Sequence, residues 1–430
     1  MCDTLVATAE ATWDGRVVFA KNSDREPGEA EVVEIRPAAT HGEGARVRCT
    51  YLDLPEVRAT RRVLLCRPYW MWGAEMGVND AGVVIGNEAV FTRAPHSALG
   101  LTGMDLVRLG LERAADAESA VRVVGELVET HGQGGNAGHR GRFRYHNSFL
   151  IADRHEAWVL ESAAKAWVAK RVSGVRSISN ALTVGDDWDL SSRYLRARAR
   201  DYGLSPGKAR LDFRALFANP WMDRAANALT RRGCTEAFLE RRRGRISALT
   251  AMEALRQHGA PDRPSAALVG LGQTVCAHAG ALPTRSHGQT VGSLVVTQKG
   301  DELSCFVTAT AAPCLSLFKP VRVTGSVPSI GEPTGRYDPS CLWWRHERLH
   351  RRALADLELA LAHVAPRRAA LEAELASGAE PEAAFARADA EEGAWLEALE
   401  ELLPRRAPSG YWRGIDRGSG FESGGRASRP

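Results

Sequence analysis

The feature that most narrows the fold is a succession of short, nearly continuous apolar segments in the first 180 residues, each closed by a turn signal. Residues 4–8 and 16–20 have this character, and Trp13-Asp14-Gly15-Arg16 between them carries the Asp-Gly signal of a hairpin. Segments 32–35, 47–52, 63–66 and 83–85 follow, the last after the turn Asn79-Asp80-Ala81-Gly82. Segments 148–152, 157–161, 167–171 and 177–179 continue the series. Strands of this continuous apolar kind belong to sheets covered on both faces. Two helical segments, 105–114 and 118–130, interrupt them. Val121, Val124, Leu127 and Val128 share one face of the second, and Gly132 is placed to stop it.

Residues 191–257 read as helical and arginine-rich, and 293–297 with 303–308 as a last strand pair. Beyond residue 340 the chain reads as almost purely helical. Leu354, Leu357, Leu361 and Val364 recur at helical spacing, as do Trp395, Leu396, Leu399 and Leu402. The order predicts an α+β core over residues 1–335 and a helical extension over 340–412 packed on it. The Gly-, Ser- and Arg-rich stretch 413–430 is expected to be disordered.

Net charge is only +4 over 430 residues, with acidic and basic residues intermixed, which argues against a nucleic acid or an anionic membrane as partner. No apolar run approaches the roughly 18–20 residues that span a bilayer, and the N-terminus lacks the pattern of a secretory signal. The eight cysteines show no CxxC spacing, so reduced thiols and a cytoplasmic location are expected. Only six of the 56 basic residues are lysines, which makes Lys21 worth notice.

Cys2 follows the initiator Met, and methionine aminopeptidases remove Met before a small residue. The product would carry a thiol and a free α-amine on one residue, a nucleophile and a general base together. An α-amine of pKa about 7.7–8.0 suits that task near neutral pH. Such a nucleophile needs a carboxylate to orient its amine and a cation to favour its thiolate. Asp24 and Lys21 stand at the end of the second strand-like segment, where a hairpin would return them to the chain start. From spacing alone, a solvated strand-end cluster is the better reading of these two residues.

Longer motifs sharpen the choice. Cys2-Asp3-Thr4, Phe19-Ala20-Lys21-Asn22-Ser23-Asp24-Arg25, Arg67-Pro68-Tyr69-Trp70-Met71-Trp72-Gly73 and Ile85-Gly86-Asn87-Glu88-Ala89-Val90 occur in this order. Gly103-Met104-Asp105-Leu106, Gly132-Gln133-Gly134-Gly135-Asn136, His146-Asn147-Ser148-Phe149 and Ser177-Ile178-Ser179-Asn180 complete the series. Together they resemble the secernin and C69 dipeptidase family, densely over the first 180 residues and more thinly to about residue 320. The resemblance implies the four-layer αββα sandwich of N-terminal nucleophile hydrolases, here with a C-terminal helical extension. It implies a catalytic set of Cys2, Lys21, Asp24, Asn87, Asn180 and Arg193. Asn87 would hold the oxyanion, Asn180 would sit near the substrate amide, and Arg193 would be a later active-site arginine. Lys21 stands where the family often has arginine, which keeps the charge and loses the bidentate fork.

The activity so implied is hydrolysis of small peptides or amides, dipeptides first, with no cofactor and with homo-oligomers as a family habit. An amidase for N-acyl amino acids or lactams is the enzymatic alternative, and a non-enzymatic secernin-like interaction protein the other. Cys276-Ala277-His278 with His287 has poor spacing for a metal, and no metal is expected. The loop Gly132-Gln133-Gly134-Gly135-Asn136 lacks the Lys-Ser/Thr of a phosphate cradle and reads as a candidate lid. Tyr69, Trp70 and Trp72 read as core or pocket wall, and Glu75 as a structural acid or an ammonium partner.

Overall fold

The computed structural model describes residues 2–259, 274–279, 288–404 and 410–421. Two antiparallel sheets make up the centre. The first runs in the order β14 (Val175–Ile178), β1 (Asp3–Ala7), β2 (Val17–Arg25), β16 (Gln289–Lys299), β17 (Glu302–Val307), β18 (Lys319–Val321). The second runs β15 (Leu190–Ser191), β13 (Ala166–Val172), β12 (Ala157–Ala163), β11 (His146–Ala152), β10 (Val84–Val90), β9 (Met76–Asn79), β8 (Val63–Pro68), β3 (Glu31–Arg36). Two small ladders, β4 (Ala39–Thr40) with β7 (Ala59–Thr60) and β5 (Arg46–Arg48) with β6 (Asp53–Pro55), lie apart from them.

The side-chain alternation of each strand fixes the layering. Phe19, Leu294 and Val296 of the first sheet meet Leu64, Val84 and Leu150 of the second in the inter-sheet core. The opposite residues of the second sheet, Ile85, Phe149 and Leu160, pack under α1 (Gly103–Arg113) and α2 (Ala117–His131) through Leu106, Leu109, Val121 and Val124. Both helices begin at capping boxes, on Thr102 and on Asp116, and Gly132 ends α2 at a φ of 70°. On the far side, Leu5, Val18 and Val295 meet Phe238, Leu239 and Met252 of α6 (Ala228–Glu240) and α7 (Ala248–Ala254). The result is the expected four-layer αββα sandwich of the α+β class. Among the described residues, no helix is long and apolar enough to cross a membrane.

Some local expectations change. The β1–β2 connection is no tight hairpin. Ala7 pairs with Val18, and a 3₁₀ turn at Ala9–Ala11 lies in the connection, which is anchored where Gly244 N donates to Ala11 O. The arginine-rich stretch divides into short helices α3 (Leu195–Asp201), α4 (Phe213–Phe217) and α5 (Pro220–Ala225) before α6 and α7. The segment expected as a strand over 47–52 is ordered as one only at Arg46–Arg48.

The C-terminal helices α8 (Leu342–Ala353), α9 (Leu357–Ala376) and α10 (Pro381–Leu402) share one apolar cluster with Leu315 and Leu317 of the core. The stretch expected to be disordered from 413 instead carries most of α11 (Gly410–Ser419). Composition misleads there because anchors follow it. Phe421 and Ile415 are buried, and Phe421 packs edge-on against Tyr337 and beneath the Arg351 guanidinium. Residues 422–430 lie outside the described residues.

Candidate active site

Strand pairing assembles the site around the chain start. β1 pairs with β2 in the register Asp3↔Asn22 and Thr4↔Lys21, which lays Cys2 beside the end of β2. β14 flanks β1 on the other side, with Thr4↔Ile178, and delivers Asn180 two residues later. Cys2 is 6% exposed. Its Sγ accepts a hydrogen bond from the Asp24 main-chain N–H at 3.2 Å. Its main-chain nitrogen donates to Asn180 Oδ1 at 3.0 Å. From the outer layer, Arg231 of α6 donates to Cys2 O at 3.1 Å, to Asn180 Oδ1 at 2.6 Å and to the Asp3 carboxylate.

The surroundings are buried and charged. Burial pushes the Cys2 thiol up to about 12, and Lys21 is the strongest charge acting against that rise. Lys21 is fully buried, with Nζ 3.9 Å from Glu75 and 3.9 Å from Glu88 and donating to Asn22 O at 3.1 Å. Burial opposes its charge, but Cys2, Glu88, Glu75 and Asp24 outweigh it and hold its pKa above the ordinary lysine value. Its aliphatic stem crosses β10 at Gly86, where a Cβ would stand 2.5 Å from Lys21 Cδ. Burial also lifts the Asp24 carboxyl to about 6 and those of Glu88 and Glu31 to about 8. Asp24 Oδ1 accepts from Thr290 Oγ1 at 2.6 Å, so this carboxylate is fixed from β16.

Of the six residues expected in the site, the structure brings together Cys2, Lys21, Asp24 and Asn180. The other two lie elsewhere. Gly86 and Glu88 of β10 face Lys21, so alternation turns Asn87 to the opposite face. The Asn87 amide lies under α1 against Met104, beside the buried Asn147–Gln133 amide pair, and is oriented to donate to Glu75 O at 3.0 Å and Glu75 Oε2 at 3.2 Å. Arg193 is exposed, with its guanidinium over the ring of Tyr194. The arginine that does reach Cys2 is Arg231, which the sequence reading left among many arginines. Its signal was position: with Ala228, Thr235 and Phe238 it occupies the buried stripe of α6, where an unpaired guanidinium would not be tolerated.

The remaining candidates have structural partners. Glu75 accepts from Arg25 at 3.1 Å, Trp70 Nε1 donates to Glu29 at 2.7 Å, and Trp72 lies under Arg108. In the Gly132-Gln133-Gly134-Gly135-Asn136 loop, Gln133 is buried and donates to Ser162 at 2.9 Å, while Asn136 O accepts from Tyr51 at 2.7 Å. A cavity of about 320 Å³ opens beside Asp24 and Arg25. Phe91, Phe143 and Met222 line it, with Glu26 and Arg142 as charged groups.

Residues 1–190 match the model of peptidase family C69, so the resemblance read from the motifs holds over that stretch. Two sequences described as probable dipeptidase A, from Streptococcus pyogenes serotype M18 (strain MGAS8232) and serotype M1, are each 24% identical over 200 residues. Those matches cover 43% of this chain and 40% of each relative, so the chain spans well under half the length of these curated relatives. Among solved structures, a mutant conjugated bile acid hydrolase from Clostridium perfringens is 12% identical with a TM-score of 0.44, covering 76% of this chain and 94% of its own. An N-acylethanolamine-hydrolyzing acid amidase ortholog from Caenorhabditis elegans is 12% identical with a TM-score of 0.35, covering 68% and 91%.

Proposed function

We propose that the protein hydrolyses the amide bond of short peptides, dipeptides first, with Cys2 as nucleophile once Met1 is removed. One observation carries this reading: the thiol and the main-chain nitrogen of the same residue are each held by a separate hydrogen bond, from Asp24 N and to Asn180 Oδ1. With Met1 gone, that nitrogen is an amine that donates one hydrogen to Asn180 and keeps its lone pair for a proton. A thiol whose pKa burial pushes up to about 12 stays protonated near neutral pH, so the base acts as the thiol attacks. Sγ bonds to the substrate carbonyl carbon, and its proton passes to the Cys2 amine. The amine then protonates the leaving nitrogen as the C–N bond breaks, and a thioester remains. Water, deprotonated by the same amine, displaces the thiolate and restores the enzyme.

The other side chains support those steps. The Lys21 charge favours the developing thiolate, and the Asp24 N–H donates to it. Arg231 fixes the acceptor oxygen of Asn180 and the carbonyl of Cys2. The cavity beside Asp24 is of the size of a short peptide, and Glu26 and Arg142 put groups of each sign in its lining. N-acyl amino acids and lactams share the reacting amide and belong in the same screen.

The test is the intact mass before and after a diazo-ketone amino-acid analogue, followed by turnover of dipeptides and N-acyl amino acids. Loss of the Met mass, one adduct on the N-terminal peptide and turnover abolished in Cys2→Ala support the reading. Retained Met1, or a Cys2 no more reactive than the other cysteines, sinks it in favour of an interaction protein.

A further inference from the structure

We infer that His258, Cys276, His278 and Cys314 form a closed structural zinc site, built where the sandwich meets the C-terminal helices. Their four ligand atoms all lie within 4.8 Å of one another; Cys276, His278 and Cys314 are buried and His258 is half-buried. His278 Nε2 is the centre of the cluster. It stands 3.0 Å from His258 Nε2, 3.5 Å from Cys276 Sγ and 3.4 Å from Cys314 Sγ. An imidazole nitrogen makes one hydrogen bond, through its proton or its lone pair, so three partners at this range exceed what hydrogen bonding uses. Around a shared ion the two His278–thiol distances are ordinary, and the His258–His278 distance is a few tenths of an ångström short. Zinc bonds of about 2.0–2.1 Å to nitrogen and 2.3 Å to sulfur place tetrahedral ligand atoms about 3.3–3.8 Å apart.

The donor set selects the metal. Two thiolates and two neutral imidazoles suit zinc, whereas magnesium and calcium take oxygen ligands. Two thiolate charges cancel the charge of the ion, so the buried assembly is neutral. Four protein ligands leave no open position for substrate, which marks a structural site.

The second layer has the required polarity. If Nε2 of His278 binds the metal, its Nδ1 carries the hydrogen, and Nδ1 lies 2.9 Å from His350 Nε2. His350 Nδ1 in turn lies 3.2 Å from Glu347 Oε2. Gln289 Nε2 and Arg351 Nε hold that carboxylate at 3.0 and 2.8 Å. A carboxylate–histidine chain behind a ligand histidine fixes its tautomer and raises its basicity.

The ligands come from the residues after α7, the short stretch 274–279 and the loop after β17. The first two of these are tied to the reactive strand. Asn22 Nδ2 donates to Leu255 O and Val275 O, both at 2.8 Å. Ala277 N donates to Thr290 Oγ1 at 3.0 Å, and that hydroxyl donates to Asp24. The ion would brace the support of Asp24 from behind. Cys276 and His278 were weighed in the sequence with His287, which lies outside the described residues. The fold supplies His258 and Cys314 instead.

The test uses the full chain, expressed with added zinc and purified without chelators. Elemental analysis is expected to find about one zinc per chain. Cobalt exchange should give the visible bands of tetrahedral cobalt with near-ultraviolet thiolate charge transfer. Cys314→Ser and His258→Ala should weaken zinc at least tenfold in competition with a chelator, and Cys234→Ser, on α6, should not. Should the ligand variants fail to fold, the wild-type metal content and cobalt spectrum decide. Folded wild-type protein with less than about a tenth of a zinc per chain after incubation with zinc overturns the proposal. So does an intact mass two hydrogens low with Cys276 and Cys314 in a disulfide.

Discussion

Gly86→Ala tests whether the lysine beneath the nucleophile acts through its position. A Cβ at residue 86 would lie 2.5 Å from Lys21 Cδ, 3.3 Å from Cε and 3.1 Å from Phe19 Cζ. Ordinary contact needs about 1 Å more, and the flexible lysine stem yields before a packed strand or the Phe19 ring. The ammonium now stands 3.9 Å from each of Glu75 and Glu88. At an effective dielectric near 20, a pair at that range is worth about 4 kcal/mol, and retreat by 1 Å forfeits about 1 kcal/mol for each ionised carboxylate. Overpacking adds roughly 1–3 kcal/mol. Lys21 is also the main charge opposing the rise of the Cys2 thiol. Its retreat by the same amount raises that pKa by up to about one unit, since one unit is 1.36 kcal/mol. The expected result is a variant about 2–4 kcal/mol less stable, whose Cys2 alkylates up to tenfold more slowly with iodoacetamide at fixed pH. Denaturant unfolding and peptide mass mapping of the adduct read the two effects. Gly110→Ala is the control, because its Cβ meets only Ile85 and Val124 in the outer layer. If Gly86→Ala alkylates at the wild-type rate while its stability falls, Lys21 is structural filling and the electrostatic argument fails.

Three further outcomes are expected. Arg231→Met removes the guanidinium that pairs with buried Asp3 and should cost about 3–5 kcal/mol in chemical unfolding, with Arg231→Lys recovering part of that loss but not the three-way bonding. Asn180→Ala should depress turnover at least tenfold by freeing the Cys2 nitrogen, whereas Asn87→Ala should cost about 1–3 kcal/mol of stability and leave Cys2 alkylation unchanged; equal effects on alkylation would contradict the face assignment of β10. The folded-state values of Glu31 and Glu88, both about 8, exceed the ordinary 4.5, so the folded chain binds more protons than the unfolded one between those limits. Their contribution to stability is therefore lost as pH rises from about 4.5 to 8, and Glu88→Gln should flatten that slope in denaturant titrations across the range.

What the sequence discloses about this site follows from how far apart the partners stand. Lys21 and Asp24 were legible because a two-strand ladder returns β2 to the chain start, and a longer connection than a tight turn does not alter that register. Asn180 was legible as a residue of the site, while only the pairing of β14 beside β1 sets its oxygen on the Cys2 nitrogen. Strand alternation sets Asn87 apart: on a strand buried on both faces, the acid at 88 and the asparagine at 87 cannot both turn inward. The buried stripe of α6 marks Arg231 as enclosed, but its partners, like those that complete the His258, Cys276, His278, Cys314 cluster, are brought together only by layer packing across tens to hundreds of residues. The helix at Gly410–Ser419 marks the limit of composition as a guide, for Ile415 and Phe421 find cover that a Gly- and Arg-rich average conceals. The common physical thread is burial. Asn87 and Arg231 are polar and enclosed, and an enclosed polar group is held by whatever partner the tertiary fold supplies.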